Sequence, residues 1–392
     1  MPRLLLLLGA ISLLAPCCVD MYLPALPSIA TDLHASASTV QLTLPAFCAG
    51  FALSQLGFGT LADHLGRRPC LLAGLALLVI ASLACALSES GAALTFWRVI
   101  QAVGVGSATV IPRAVVRDCF PVEQTARAMS TLSLITGLGP ILAPQVGAAL
   151  LLAASWRLIF WLLAGCALVL LPLVFFTLRE SMPAGRPHAL GPKLWVALLG
   201  DRRYLRFALP ANLIQSSLFV YIAGAPFVFI KIFALTPQQF GWSFGANAVA
   251  LMAGGRINAY LVTRLGPEYI FRRSMVATAA LGLLLLAVAA SGRGGFLGLA
   301  IPLFLYVFSV GFNFANGFAL ALAPFGSAAG TASALFGTVQ FLFAALGGVA
   351  VSALYDGTPR AMTGVMCVLA VTGVALYRYL EQRAPQTLPA PP

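Results

Sequence analysis

Asp20 stands inside an apolar run that begins at Leu4, in the stretch DMYLPALPSIATDL. A carboxylate within a membrane segment costs on the order of 2.5–3.5 kcal/mol on insertion scales, and it is tolerated where it faces a cavity or a partner. Taking up and releasing a proton is the chemistry open to a lone carboxyl there, so Asp20 is the candidate proton-handling group. Arg98 opens a second such element, FWRVIQAVGVGSATVIPRAVVRD, with Gln101, Gly104 and Gly106 on the following turns. The first apolar segment runs outward and the fourth inward. At about 1.5 Å per residue, Asp20 and Arg98 both fall in the outer half of the membrane, where they could pair. Burial and a neighbouring arginine act on a carboxyl in opposite senses. The competing reading of Arg98 is a side chain that snorkels to the outer surface.

Three further sets carry polar or conformational chemistry. In GFGTLADHLGRRPCLLAG (57–74), Gly59 precedes Asp63, Gly66 makes a tight turn, and Arg67 and Arg68 follow. An acid in that place can pair with basic groups across the inner mouth and hold it shut; the bland alternative is a basic loop with a turn glycine. In GLGPILAPQVGAALL (137–151), Pro140 and Pro144 stand one turn apart among Gly137, Gly139 and Gly147. Prolines remove helix hydrogen bonds and glycines let helices approach closely, so this segment bends and packs. Tyr22, Gln101, Asn212, Gln215, Tyr221, Asn247, Asn313, Asn316 and Gln340 are uncharged polar groups within apolar segments. Each is a candidate for lining a largely apolar cavity, or for a hydrogen bond between helices worth about 0.6 kcal/mol. Arg256, near the inner end of its segment, reads as a gate or interface residue. The three His are scattered in connections and the eight Cys show no CxxC spacing, so no metal site is expected and no cofactor is called for. A membrane enzyme would need paired acids or a nucleophile–base pair within the segments, and none is present.

The elements that position these residues follow from composition. The chain is 60% hydrophobic and 9% charged, against about 25% charged for a soluble domain. A spanning helix needs about 20 apolar residues, and twelve segments qualify, near 4–27, 40–62, 70–88, 93–114, 128–153, 156–178, 207–231, 240–263, 273–291, 295–322, 331–354 and 360–379. The first could be read as a signal peptide, since Arg3 precedes an apolar stretch and Leu14–Cys17 hints at a lipoprotein cleavage site. Pro16 fits poorly there and the apolar character runs on, so an uncleaved first helix is preferred. The expected domains are a six-helix unit at 1–180, an inter-bundle loop at 181–206, a second six-helix unit at 207–383 and a tail at 384–392. The formal charge of +12 sits in short connections, which is the positive-inside pattern and no nucleic-acid patch. Seventeen Lys/Arg lie on one side against four (Arg157, Lys231, Arg293 and Arg360) on the other, which predicts both termini in the cytoplasm.

Three of these motifs carry a family resemblance. The 57–74 join resembles the loop between the second and third helices of the major facilitator superfamily, GxLxDRxGRRxxL, with His64 where that pattern has Arg. The Arg98 segment is similar to that superfamily's RxxQGxG element, linked to proton coupling, with Ala102 replacing the first glycine. The 137–151 segment resembles the antiporter element GxxxGPxxGG of its drug exporters, departing at Gln145 and Val146. With DMYLPALP, YIAGAPFVFIKIFALTPQQFGWSFGANA (221–248) and GTASALFGTVQFLFAALGG (330–348), the chain looks like the Bcr/CflA branch of drug:proton antiporters from Asp20 to about Leu354. The resemblance implies an all-α fold of two six-helix bundles in a bacterial inner membrane. It implies proton-coupled efflux of small antibiotics such as chloramphenicol or bicyclomycin by alternating access. The implied partners are drug, protons and membrane lipid, and a monomer is expected. A same-fold exporter or importer of a small metabolite, an amino acid or a sugar, stays open. A sensor derived from the fold would carry an added signalling segment, and the stretch after Arg383 is only APQTLPAPP.

Overall fold

The computed structural model describes residues 2–182 and 192–383; the expected tail at 384–392 and residues 183–191 of the expected inter-bundle loop lie outside them. Everything regular among the described residues is helical. The reason is the solvent: in hydrocarbon each backbone N–H and C=O must be paired within its own segment. Helix α1 (Pro2–Asp20) is followed by a 3₁₀ turn (Leu23–Ala25) and α2 (Leu26–Asp32), which together make the first span. The second is α3 (Ala37–Gln41) with α4 (Thr43–Leu65), the third α5 (Arg67–Ala86) and the fourth α6 (Gly91–Cys119). The fifth is α7 (Val122–Gly137) with α8 (Gly139–Ala153), and the sixth α9 (Arg157–Thr177).

A short helix, α10 (Pro192–Gly200), occupies part of the expected loop. The seventh span, α11 (Arg202–Pro226), starts inside the range read as loop and ends in a π-helical turn at Phe227–Ile232. Then come α12 (Pro237–Leu265), α13 (Pro267–Ser291), α14 (Gly295–Leu322), α15 (Ala329–Ala353) and α16 (Arg360–Gln382). Eleven of the twelve spans are long and apolar enough to cross a membrane. The remaining one, α12, is as long as α6 at 29 residues; Gln238, Gln239, Arg256, Asn258 and Arg264 dilute its apolar character. It packs against α14 of its own half and α8 of the other.

Spans one and five are interrupted, and proline accounts for both breaks. Pro24 and Pro27 lack the N–H that would carry α1 onward, and Pro140 opens α8 just after the kink at Leu138. Other ends are capped by side chains. Ser90 accepts from the Ala93 N–H, and Thr236 and Gln239 form a reciprocal capping box. These satisfy helix-end donors that would otherwise stay unpaired.

In the first half, α6 packs on α1, α4 and α5, and α9 on α5; in the second, α11 packs on α14, α15 and α16, and α13 on α14 and α16. The halves meet along two seams, α4 with α15 and α8 with α12. Let the near face be the one where α1 begins. The described cross-half hydrogen bonds lie toward the far face: Ser352 Oγ donates to the Ser38 carbonyl (2.5 Å), and Gln238 Nε2 to the Ala148 carbonyl (3.2 Å). Deeper in, Phe51 and Phe341 touch with ring centroids 4.5 Å apart. Toward the near face, Gly57 and Gly59 of α4 and Gly330 and Gly337 of α15 have open space where a side chain would stand.

Candidate functional site

Asp20 is the last residue of α1, at the point where the first span breaks. It is 3% exposed. No hydrogen bond or ion pair of its carboxyl is described. The 3₁₀ turn that follows Asp20 packs against α11 and α12 of the second half, and α11 carries Tyr221. Tyr221 in turn accepts a hydrogen bond from Asn247 Nδ2 of α12 (3.0 Å) and stacks on Phe244. Asn247 also borders an open groove between α12 and α14 whose walls include the exposed side chains Trp242, Ile301 and Phe304. A lone buried carboxylate is costly, and a proton or a ligand group would relieve it.

Arg98 lies in the same half of the membrane as Asp20, and the ion pair open to them on the sequence is not made. Arg98 is fully buried, which also excludes the snorkelling alternative. Its guanidinium sits 4.2 Å from the Tyr22 ring centroid, 4.3 Å from Phe47 and 5.9 Å from Phe160. Nη1 donates to the Cys18 carbonyl in the last turn of α1 (2.9 Å) and to Gln101 Oε1. A cation at a helix C-terminus is favourably placed, so Arg98 stabilises the broken end of α1. It acts on Asp20 through two residues of backbone. No ion pair joins the two among the described residues, and Arg98 is clamped among aromatic rings inside the first half.

The glycines of span five fit this break. An atom at the Cβ position of Gly147 would stand 1.8 Å from the Met21 carbonyl oxygen, and one at Gly139 2.5 Å from the Pro16 side chain. The two approach α1 on either side of Asp20. Gly137 has Met252 of α12 in ordinary contact, and Pro144 is buried within α8.

Most of the expected cavity residues are committed elsewhere. Tyr22 bonds Thr43 (3.1 Å), and Gln101 donates to Ser82 (2.8 Å) while it holds Arg98. Asn212 donates to the Phe336 carbonyl (3.1 Å). Asn313 bonds Thr278 and Ser274, and Asn316 bonds Asn258 (2.7 Å). These five tie helices together within a half. Gln215 keeps a buried side-chain oxygen without a partner. Gln340 is 8% exposed, with no described side-chain bond. Ser216 Oγ donates to the Gln340 carbonyl (2.9 Å), so Gln340 lies where α11 packs on α15, next in sequence to Phe341, whose ring meets Phe51 and Phe219.

At the near face, Arg67 is 2% exposed and bridges Asp63 (2.6 Å) and Asp118 (3.2 Å). Arg68 donates to the Phe175 carbonyl (2.7 Å) and lies over the Phe175 ring. Gly66 has φ +101°, a backbone that favours glycine. Glu180, unmarked in the sequence reading, accepts from the Arg67 and Arg68 N–H groups (2.9 and 3.1 Å) and from Ser181 and Met182 (3.0 Å each). It caps α5 from the end of span six. Burial pushes its carboxyl up, and these four N–H bonds outweigh that and hold it below the ordinary glutamate range. The second half has its own cluster, also missed: Arg206 pairs with Glu268 (2.5 Å) and Glu381 (3.1 Å), beside Tyr377. Glu268 stands two residues past Gly266, the turn glycine between α12 and α13. Both clusters brace one half each, whereas an ion pair across the mouth was the expectation. Arg256 is exposed, on the stripe of α12 that includes Gly245 and Met252, with no described partner.

The chain was compared with known proteins. A Major Facilitator Superfamily model matches residues 8–348. An uncharacterized MFS-type transporter of Bacillus subtilis, YdgK, is 34% identical over 97% of this chain and 96% of its own length. A bicyclomycin resistance protein homolog of Haemophilus influenzae is 30% identical over 97% and 96%. The multidrug resistance protein MdtL of Escherichia coli is 29% identical over 98% and 97%. Among solved structures, a bacterial homolog of the human lysosomal transporter Spinster, inward-facing and occupied, superposes with TM-score 0.78 at 16% identity, covering 97% of each chain. The Escherichia coli xylose transporter XylE, partially occluded and inward open, gives 0.76 at 15%, covering 98% of this chain and 99% of its own.

Proposed function

The chain belongs to the Major Facilitator Superfamily, a multi-pass secondary transporter and not an enzyme, and from that premise we propose that it is a proton-coupled antiporter exporting small antibiotics. The observation that carries this reading is Asp20: a buried carboxyl without a described partner, at the break of the first span, where the following 3₁₀ turn packs on α11 and α12 of the other half. Its charge state can therefore report to both halves at once. With the near face taken as cytoplasmic, the seams described above correspond to an inward-facing state. Drug enters from the cytoplasm into a largely apolar space near Gln215, Gln340, Phe51 and Phe341. Asp20 gives up its proton on this side as drug binds and takes one up when the site faces outward, where drug leaves. Membrane potential adds about 2.3 kcal/mol per charge per 100 mV to an electrogenic exchange.

The same reading places the protein as a monomer in a bacterial inner membrane with both termini cytoplasmic. The units 1–180 and 207–383 rock against each other about the two seams. The near-face clusters around Arg67 and Arg206 keep each half rigid during that motion. The names of the relatives, bicyclomycin resistance homolog and multidrug resistance protein, favour chloramphenicol or bicyclomycin as first substrates to try. The test is drug-dependent proton movement in inverted vesicles, wild type beside Asp20→Asn. Chloramphenicol should release lumenal protons in the wild type alone. A signal from both would remove Asp20 from the centre, and silence from both, with the protein in the membrane, would move the search to metabolites.

A further inference from the structure

Arg113 was counted among the cytoplasmic connections on the sequence, yet it lies inside α6, six residues before that helix ends at Cys119. That is about 9 Å along the axis. Arg117, one turn on, already supplies the basic charge of the helix end. Arg113 is exposed, and no hydrogen bond or ion pair is described for it. It lines a cleft of about 40 Å³ together with Ser12 of α1, Thr109 of α6, and Met129, Leu132, Ser133 and Thr136 of α7. No acid lines this cleft. The hydroxyls of Thr109 and Thr136 already donate to carbonyls, at Gly106 and Leu132. Those of Ser12, which is 5% exposed, and Ser133 have no described partner. Thr109 also reaches Gln55 of α4 (3.5 Å). The cleft thus belongs to spans one, two, four and five. Spans two and five carry the seams with the second half, and neither outlying span, three nor six, contributes.

A guanidinium at this depth, without a counter-charge, is a functional group by default. Its fork of donors matches a carboxylate, sulfonate or phosphate, and two free hydroxyls point to the same chemistry. The volume suits one such group and not a whole drug. We propose that Arg113, Ser12 and Ser133 form an oxyanion subsite in the near-face half of the transport path, engaging an acidic group on a ligand that enters from that side. The proposal deepens the transport reading and borrows from it only the direction of entry; binding itself is tested without proton coupling.

The experiment uses the full chain in phosphatidylcholine nanodiscs and equilibrium dialysis with nalidixic acid, an aromatic carboxylate, beside its neutral methyl ester. Wild type is expected to prefer acid over ester. Arg113→Gln should lower that preference about tenfold, and Arg113→Lys should restore part of it. Equal binding of acid and ester to the wild type, no binding of the acid, or a preference unchanged in Arg113→Gln would each overturn the subsite. A second arm measures phosphatidylglycerol retained through purification. Equal retention in wild type and Arg113→Gln supports a soluble ligand. Loss in the variant alone, with acid preference unchanged, assigns the site to a lipid headgroup and overturns the proposal. Because no step depends on Asp20, failure of the antiport reading and failure of this one are separate results.

Discussion

Asp20 and Arg98 show how two charges in one region take different tasks. Arg98 is held by rings, a helix-end carbonyl and Gln101, so its role is to fix the broken end of α1. Lysine cannot reproduce a planar fork stacked between rings. Arg98→Lys is therefore expected to lose about 2 kcal/mol of stability, read as an earlier melting transition in detergent, together with most transport. Asp20→Asn keeps size and shape. It should insert and melt as the wild type does, while drug-driven proton movement falls to background. Glu180 gives a pH-dependent outcome. Its folded carboxyl is held below its ordinary value, so its stabilisation is fully present above the ordinary glutamate range. It is lost as pH falls through the lowered value. Glu180→Gln should melt earlier than wild type at pH 7, and the gap should close as the pH drops below about 4.

The elements that matter most are the interrupted ones. Two prolines and a 3₁₀ turn end α1 at Asp20, the residue proposed to handle the proton, and span five bends at Leu138 to lie against that break. The approach of Gly147 to the Met21 carbonyl leaves no room for a methyl group. Gly147→Ala is expected to cost about 1–3 kcal/mol by overpacking and to shift the break, so that transport suffers more than folding. Transport assays beside thermal melting check this, and unchanged transport would remove span five from the positioning of Asp20. Helix α12 makes the opposite point. It alone of the twelve spans falls short of the apolar composition needed to cross a membrane, yet two of its polar side chains find partners on its neighbours α14 and α8, Asn258 on Asn316 and Gln238 on the Ala148 carbonyl.

At the scale of the molecule, the two halves are each braced internally and touch along two seams, with the described hydrogen bonds between them near the far face. A rocking transporter must break those contacts in each cycle. Joining Ser38 to Ser352, as cysteines bridged by a short bifunctional thiol reagent in a cysteine-free background, should proceed without drug and stop transport. A pair across the near face, Gly59 with Gly337, should resist the same reagent until drug and proton cycling bring the halves together there. Ready bridging of the near-face pair at rest would contradict the open near face.

Hydropathy and the placement of Lys and Arg determined the class and the helical architecture, because a bilayer imposes its demands along the chain and leaves them in one dimension; the family was legible in the motifs at 57–74, at Arg98 and at 137–151. Asp20 was found the same way, as a charge where none should be. The sequence also located the Asp63–Arg67 join, although it did not reveal Asp118 and Glu180 as partners, which stand 51 and 113 residues from Arg67. What a polar side chain inside a span does was beyond sequence reading. Gln101 and Gln215 look alike in their segments, yet one is locked to Arg98 and Ser82 while the other keeps a free oxygen. Only the rotation of each helix, set by packing, separates a tie between helices from a group that faces the ligand. The same packing holds Arg98 among rings, unpaired with Asp20 among the described contacts, and leaves Arg113 lining a cleft, and no spacing along the chain encodes it.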